Sequence, residues 1–131
     1  MRSPTSPRGA NESRSTFVRI TSKSGVLTVR PAGPSLAERE AVVIASEVRP
    51  AIASQGGGLR LLVLDLSDVT LMSSFGLGMC IELRNLAESA GASTVMFGLV
   101  PELVELFKML KVDRLYTMAK TPEDLAKALA A

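Results

Sequence analysis

The sequence predicts an α/β domain whose sheet contains parallel strand pairs, with helices packed against it. Three observations point there. The stretch "LRLLVLDL" (residues 59–66) is an almost unbroken Leu/Val run, as expected for a strand buried on both faces of a sheet. After an initial hairpin, β-rich runs alternate with segments of helical spacing in the order β, β, α, β, α, β, α, β, α; such alternation calls for right-handed crossovers. The chain has 131 residues and is 47% hydrophobic, enough for the core of one domain of ordinary size.

Residues 1–15, "MRSPTSPRGANESRS", are rich in Ser, Pro, Arg and Gly without an apolar period and read as a flexible tail. The domain proper then spans 16–131. Phe17, Val18 and Ile20, then Val26, Leu27 and Val29, flank Ser24-Gly25, a hairpin signal. Pro31, Gly33 and Pro34 stop the second strand. In "SLAEREAVVIASEVRP", Ser35 as N-cap with Glu38 three residues on forms a capping box. Leu36, Val43, Ile44 and Val48 supply the buried stripe, and Pro50 ends or kinks the helix at Arg49. Gly56-Gly57-Gly58 is a loop.

The buried strand 59–66 leads into a helix over 74–89. Met79, Leu83, Leu86 and Ala90 share its apolar face, Cys80 and Ala87 flank that face, and Gly91 fits the left-handed position after its end. "ASTVMFGLV" is a second buried strand. "PELVELFKMLKV" is a helix with Pro101 in its first turn and Leu103, Leu106, Phe107 and Leu110 as its apolar residues. "LYTMA" is a short strand. "TPEDLAKALAA" is a last helix, with Thr121 as cap, Pro122 at its first position and Glu123 and Asp124 facing its positive end.

Composition removes several function classes. Histidine is absent and Cys80 is the single cysteine, which excludes the usual zinc sites, the Ser-His-Asp triad and the Cys-His dyad. One cysteine also forms no internal disulfide and suits a reducing, cytoplasmic setting. No run of about eighteen apolar residues exists to span a membrane, and the N-terminus lacks the apolar core of a secretory signal. The net charge of +2 resides in residues 1–15, where Arg2, Arg8 and Arg14 face Glu12; the remainder is neutral. With one Tyr and four Phe besides, neither a phosphate-binding patch nor a base-stacking platform is in view, and no nucleic-acid partner is expected.

The chemistry-bearing candidates gather in "LMSSFGLGM" (residues 71–79), where a strand passes into a helix. A dinucleotide fingerprint needs a third glycine where Ile81 stands. A P-loop lysine is missing, and a nucleophile elbow needs glycine where Met72 stands. What remains is a serine at a helix N-terminus. Ser73 or Ser74 caps the first turn, and the other faces solvent. The same free N–H groups and positive dipole end would receive a phosphate on serine, adding about −1.5 to −2 charges to a neutral surface.

The residues "LVLDLSDVTLMSSFGLGM" resemble the central motif of the STAS family, the sulfate transporter and anti-sigma factor antagonist domain. In that pattern a hydrophobic strand is followed by Asp-Leu-Ser, a variable residue, Val, and then Asp-Ser-Ser/Thr-Gly-Leu-Gly. The resemblance continues through "GASTVMFGLVPELVELFKMLKVDRLYTMAKTPEDLAKAL" and covers about residues 16–130, in the first half by element order more than by residue. It implies the SpoIIAA-like fold, a four- to five-stranded mixed sheet with about four helices packed on one side. It implies a non-enzymatic anti-sigma factor antagonist that binds an anti-sigma factor serine kinase, is released when the kinase phosphorylates its serine, and is reset by a phosphatase. No cofactor or metal is implied.

Aligned without gaps, the phosphorylated serine falls on Ser74, with Ser73 as the secondary candidate. Ser73 replaces the family's aspartate, and Phe75 replaces its Ser or Thr. Asp65 matches the aspartate at the strand end, where it either hydrogen-bonds loop N–H groups or shapes the acceptor loop. Ser73, Ser74, Phe75, Gly76, Gly78 and Asp65 are the expected partner-binding residues. Alternatively, Gly78 serves only to let helix and strand pack. The competing function is a non-phosphorylated STAS adaptor subunit of an ABC-type lipid or solute transporter. Cys80 is expected to be buried and inert.

Overall fold

The computed structural model describes residues 10–130. Its main sheet has six strands in the order β1-β2-β3-β5-β7-β8. β1 (Ala10–Arg14), β2 (Val18–Lys23) and β3 (Val26–Pro31) are antiparallel neighbours. β5 (Leu61–Asp65), β7 (Ser93–Phe97) and β8 (Thr117–Ala119) extend the sheet from β3 in parallel. The sheet exceeds the expected four to five strands because Ala10–Arg14, placed in the tail by composition, pair with β2 along their whole length. Polar residues suffice there because an edge strand needs backbone partners on one side only. The rest of the expected tail, residues 1–9, lies outside the described residues.

The hairpin turn falls where the sequence puts it. Ser24 (φ +53°) and Gly25 (φ +81°) join β2 to β3, the pair of positive φ angles that a two-residue hairpin matching strand twist requires.

Helices cover both faces of the sheet rather than one. Along β5, Leu62 and Leu64 join the core shared with α1 (Glu38–Ser54), α2 (Ser74–Ser89) and α3 (Pro101–Met109). Leu61 and Val63 point the other way and meet Leu125, Ala128 and Leu129 of α4 (Pro122–Ala130). The two-residue alternation of a strand explains why this run is apolar throughout: each face has its own helical cover.

Two local expectations are corrected. Ser35 does not cap α1. It lies with Leu36 in a short strand, β4 (Ser35–Leu36), parallel to β6 (Leu71–Met72). The helix starts after Ala37, whose N–H donates to Glu40 Oε1 (3.0 Å). Pro50 does not end α1, which continues to Ser54. In α2 the buried stripe is Met79, Cys80, Leu83 and Ala87, with Leu86 exposed; the face is rotated toward Cys80 relative to the expected one. Gly91 does take the left-handed conformation (φ +87°) and closes α2, with Ala92 N–H donating to Ala87 O (2.9 Å).

Candidate functional site

β5 delivers the chain to the end of the sheet at Asp65, and a short connection brings it back as β6. Two backbone anchors hold this return. Pro34 O accepts from Thr70 N–H (2.8 Å) and Leu71 N–H (3.1 Å), and Leu36 O accepts from Ser73 N–H (3.1 Å). The pairing of β4 with β6 therefore fixes where α2 begins.

The two adjacent serines take separate tasks. Ser73 is the N-cap, in extended conformation, and its Oγ accepts from Phe75 N–H (3.2 Å) and Gly76 N–H (3.5 Å). Ser74 is the first helical residue and is exposed. The geometry of a helix start explains the division: the cap side chain folds over the first turn, whereas the next one projects outward.

Beside Ser74 the surface is apolar. Leu71 is 65% exposed and Phe75 53%. They lie four residues apart and bracket the serine pair, the one in the short strand and the other in the first helical turn. The first turn of α2 also lacks an acidic residue, whereas α1 carries Glu38 and Glu40, α3 Glu102, and α4 Glu123 and Asp124. The positive end of the α2 dipole thus has no carboxylate of its own turn beside it.

The glycines exchange the roles considered for them. Gly76 is buried. A Cβ there would meet the Leu36 carbonyl oxygen, and would lie 2.9 Å from both Leu36 Cγ and Met72 Cγ. It is the glycine that lets the helix start sit against β4 and β6, and it is not part of an exposed face. Gly78, the expected packing glycine, is exposed, and a Cβ there would have no neighbour within 4 Å.

Asp65 is not brought into hydrogen bonding with the serines. Its Oδ1 accepts from Ser67 N–H (3.1 Å) and from the Ser67 hydroxyl, and its Oδ2 lies 3.7 Å from Arg30 Nη1. It shapes the loop start. Arg30 of β3, which sequence reasoning did not single out, grips that loop further on: its Nε and Nη2 donate to the two carboxylate oxygens of Asp68 (3.1 and 3.2 Å), and this holds the Asp68 carboxyl below its ordinary range. Leu71 is the other residue that sequence reasoning missed; its spacing of four from Phe75 is the one sequence signal that could have marked it.

Behind the site, Cys80 is fully buried and its thiol is pushed up to about 12 by burial, so no thiolate is available as a nucleophile. Among the described residues no group of three His, Cys, Asp or Glu side chains could hold a metal, and no helix is long and apolar enough to cross a membrane. The site can cap, dock and receive an anion.

A family model of the STAS domain matches residues 18–125. The chain belongs to the STAS domain family. Its fold is also that of several solved structures. An anti-sigma-factor antagonist (STAS) domain protein from Planctomyces limnophilus superimposes with a TM-score of 0.74 at 22% identity, covering 87% of this chain and 98% of the other. The anti-sigma factor antagonist SpoIIAA in its unphosphorylated form gives 0.64 at 16% identity, over 92% of this chain and 96% of the other. The murine anion transporter Slc26a9 gives 0.70 at 16% identity, over 84% of this STAS chain but 18% of the transporter. Curated protein sequences contain no match.

Proposed function

We propose that this STAS domain is an anti-sigma factor antagonist. In this reading it docks on an anti-sigma factor serine kinase through Leu71, Phe75 and the start of α2, and phosphorylation of Ser74 ends the contact. The observation that carries the reading is the exposed Ser74 at the first position of a helix whose opening turn has no acidic residue, set between two exposed apolar side chains. Ser73 already satisfies the cap, so the fold does not require a hydroxyl at 74.

The kinase would supply the chemistry. Ser74 Oγ loses its proton as it forms a bond to the γ-phosphorus of ATP, and the bond from that phosphorus to the bridging oxygen breaks to release ADP. The product carries about −1.5 to −2 charges at pH 7. The free N–H groups of the helix start and the dipole favour the phosphate there. A partner that had desolvated Leu71 and Phe75 would face an unpaired dianion, which is costly to bury. A phosphatase restores the neutral surface. The protein itself would act as a binding module in the cytoplasm, without cofactor or metal.

A second reading is supported by the likeness to the Slc26a9 structure: a transporter adaptor in which Ser73 caps, Ser74 stays unmodified and the apolar surface binds a transporter subunit such as an ABC ATPase. One experiment separates the two. The purified chain is incubated with its cognate anti-sigma kinase and Mg-ATP, and phosphate is mapped by mass spectrometry. The antagonist reading expects phosphate on Ser74, none on Ser74→Ala, and loss of kinase binding after modification. An unmodified Ser74 with an active cognate kinase would falsify it.

A further inference from the structure

The open face of the β1-β2-β3 hairpin region carries an arginine row that neither the fold nor the Ser74 surface accounts for. Arg14 pairs in register with Arg19, and Arg19 with Arg30. Three guanidinium side chains therefore rise side by side from adjacent strands, an arrangement that like-charge repulsion disfavours. Glu12 offsets it in part, as a single carboxylate shared between Arg14 (3.7 Å) and Arg19 (3.2 Å). Arg30 is engaged from the other side by Asp68 and Asp65. Between the arginines lies an open cleft of about 320 Å³, lined by the three of them with Asp68 as its one acidic side chain. α4 packs on this face of the sheet only at β5, β7 and β8, so the row stays uncovered.

We propose that this arginine-lined cleft is a docking site for an extended acidic segment of a partner protein. Charge complementarity selects the occupant. The cleft wall presents three cations against one carboxylate, and guanidinium forks match carboxylates. The span matters as well. Strands about 4.8 Å apart put Arg14 and Arg30 about 10 Å from each other at their backbones, a distance suited to successive carboxylates along an extended chain rather than to one compact oxyanion. Asp68 inside the cleft opposes a dense polyanion. The neutral charge of residues 16–131 gives no broad basic surface for a nucleic acid. The row also sits at the sheet end from which β5 leads toward Ser73, tied to that loop by Arg30 and Asp68. A partner reaching around the sheet end would touch both surfaces, but the cleft needs no phosphorylation and stands apart from the Ser74 reading.

The full chain is titrated with a synthetic peptide of alternating glutamate and threonine, about ten residues long, while the arginine Nε–H resonances are followed by NMR. The expected result is shifts of the Arg14, Arg19 and Arg30 resonances, and an affinity that falls about tenfold or more in Arg19→Glu and several-fold between about 50 and 300 mM salt. Arg19→Gln is carried alongside, and must weaken binding by a smaller factor with an unchanged amide spectrum elsewhere. Lys23→Glu makes the same charge change further along the same strand, and is expected to cost less than about twofold, the residual effect of a screened distant charge. Equal losses in Lys23→Glu and Arg19→Glu would reduce the effect to net charge and overturn the site. So would silent arginine resonances at millimolar peptide. Inorganic phosphate or a single-stranded oligonucleotide moving the same resonances at equal or lower concentration would overturn the acidic-segment assignment.

Discussion

Helices α2 and α4 both begin on a hydroxyl cap, yet their first turns are built differently. In α4, Thr121 Oγ1 accepts from Asp124 N–H (3.1 Å) and the Asp124 carboxylate accepts from Lys120 N–H (3.1 Å). Glu123 adds a second anion to the same turn. In α2, Ser73 caps and then come Ser74, Phe75 and Gly76, with no carboxylate. The α4 start is completed by its own sequence: its donors are engaged and its dipole is countered. The α2 start meets only the minimum for folding, through Ser73, and leaves a hydroxyl, a positive dipole end and apolar side chains at the surface. The difference separates the residue that builds the helix from the one available for regulation, although the two are neighbours in sequence.

The largest expected effect tests what holds α2 in place. Gly76→Ala puts a methyl group against the Leu36 carbonyl and the Leu36 and Met72 side chains and is expected to destabilise by about 2 kcal/mol. Gly78→Ala, in the same turn but in open space, is expected to stabilise by about 0.5–1 kcal/mol through helix propensity. Urea unfolding of both variants decides the matter; two shifts of the same sign would remove the distinction between packing and exposed glycine.

Next in size are the caps. Ser73→Ala and Thr121→Ala are each expected to cost about 1 kcal/mol, and chemical denaturation measures both. Ser74→Ala is expected to change stability by less than about 0.5 kcal/mol, as for a surface substitution. A Ser74→Ala loss equal to that of Ser73→Ala would mean that the two serines share the cap. Ser74→Asp supplies the missing first-turn anion and is expected to add about 0.5 kcal/mol at low salt, while weakening the docking of the kinase. Adding the corresponding charge to α4, whose first turn already has two carboxylates, should add nothing.

The elements were legible where local chemistry acts alone: the Ser24-Gly25 turn, Pro101 opening α3, Thr121 opening α4 and the Leu/Val run of β5. They were less so where a distant segment decides. Ser35 looks like a cap, but it is drawn into β4 by Leu71 and Met72, 36 residues away in register, and the helix starts two residues later. Ala10–Arg14 have a tail's composition and become a strand only because β2 offers an unpaired edge. The site divided in the same way. The serine pair and Asp65 were visible as a motif, whereas the close approach at Gly76 and the grip of Arg30 on Asp68 depend on which strands lie side by side, which periodicity does not encode.

The smallest effect concerns where α2 does keep a carboxylate. Glu82, two turns past the empty helix start, makes a two-pronged pair with Arg49 of α1, through Nε to Oε2 (2.5 Å) and Nη2 to Oε1 (3.1 Å). That hydrogen-bonded guanidinium holds the Glu82 carboxyl below its ordinary value. A group whose pKa is lowered in the folded state binds fewer protons than it does unfolded. Its contribution is therefore complete above the ordinary carboxylate value and is lost as the pH falls through the lowered one. Arg49→Gln removes the pair, so it should lower the melting temperature slightly at neutral pH, and the gap from the unaltered chain should close on acidification through the carboxylate range. Both side chains are about half exposed, so salt should shrink the gap as well. Ser74→Asp offers the parallel: its added stability should also vanish in acid and in salt, because it too rests on an ionised carboxylate. A gap for Arg49→Gln that persisted unchanged into acid would assign Arg49 to packing of its aliphatic stem against α2 rather than to charge, and would leave α2 without any stabilising use of its acidic residues at that turn.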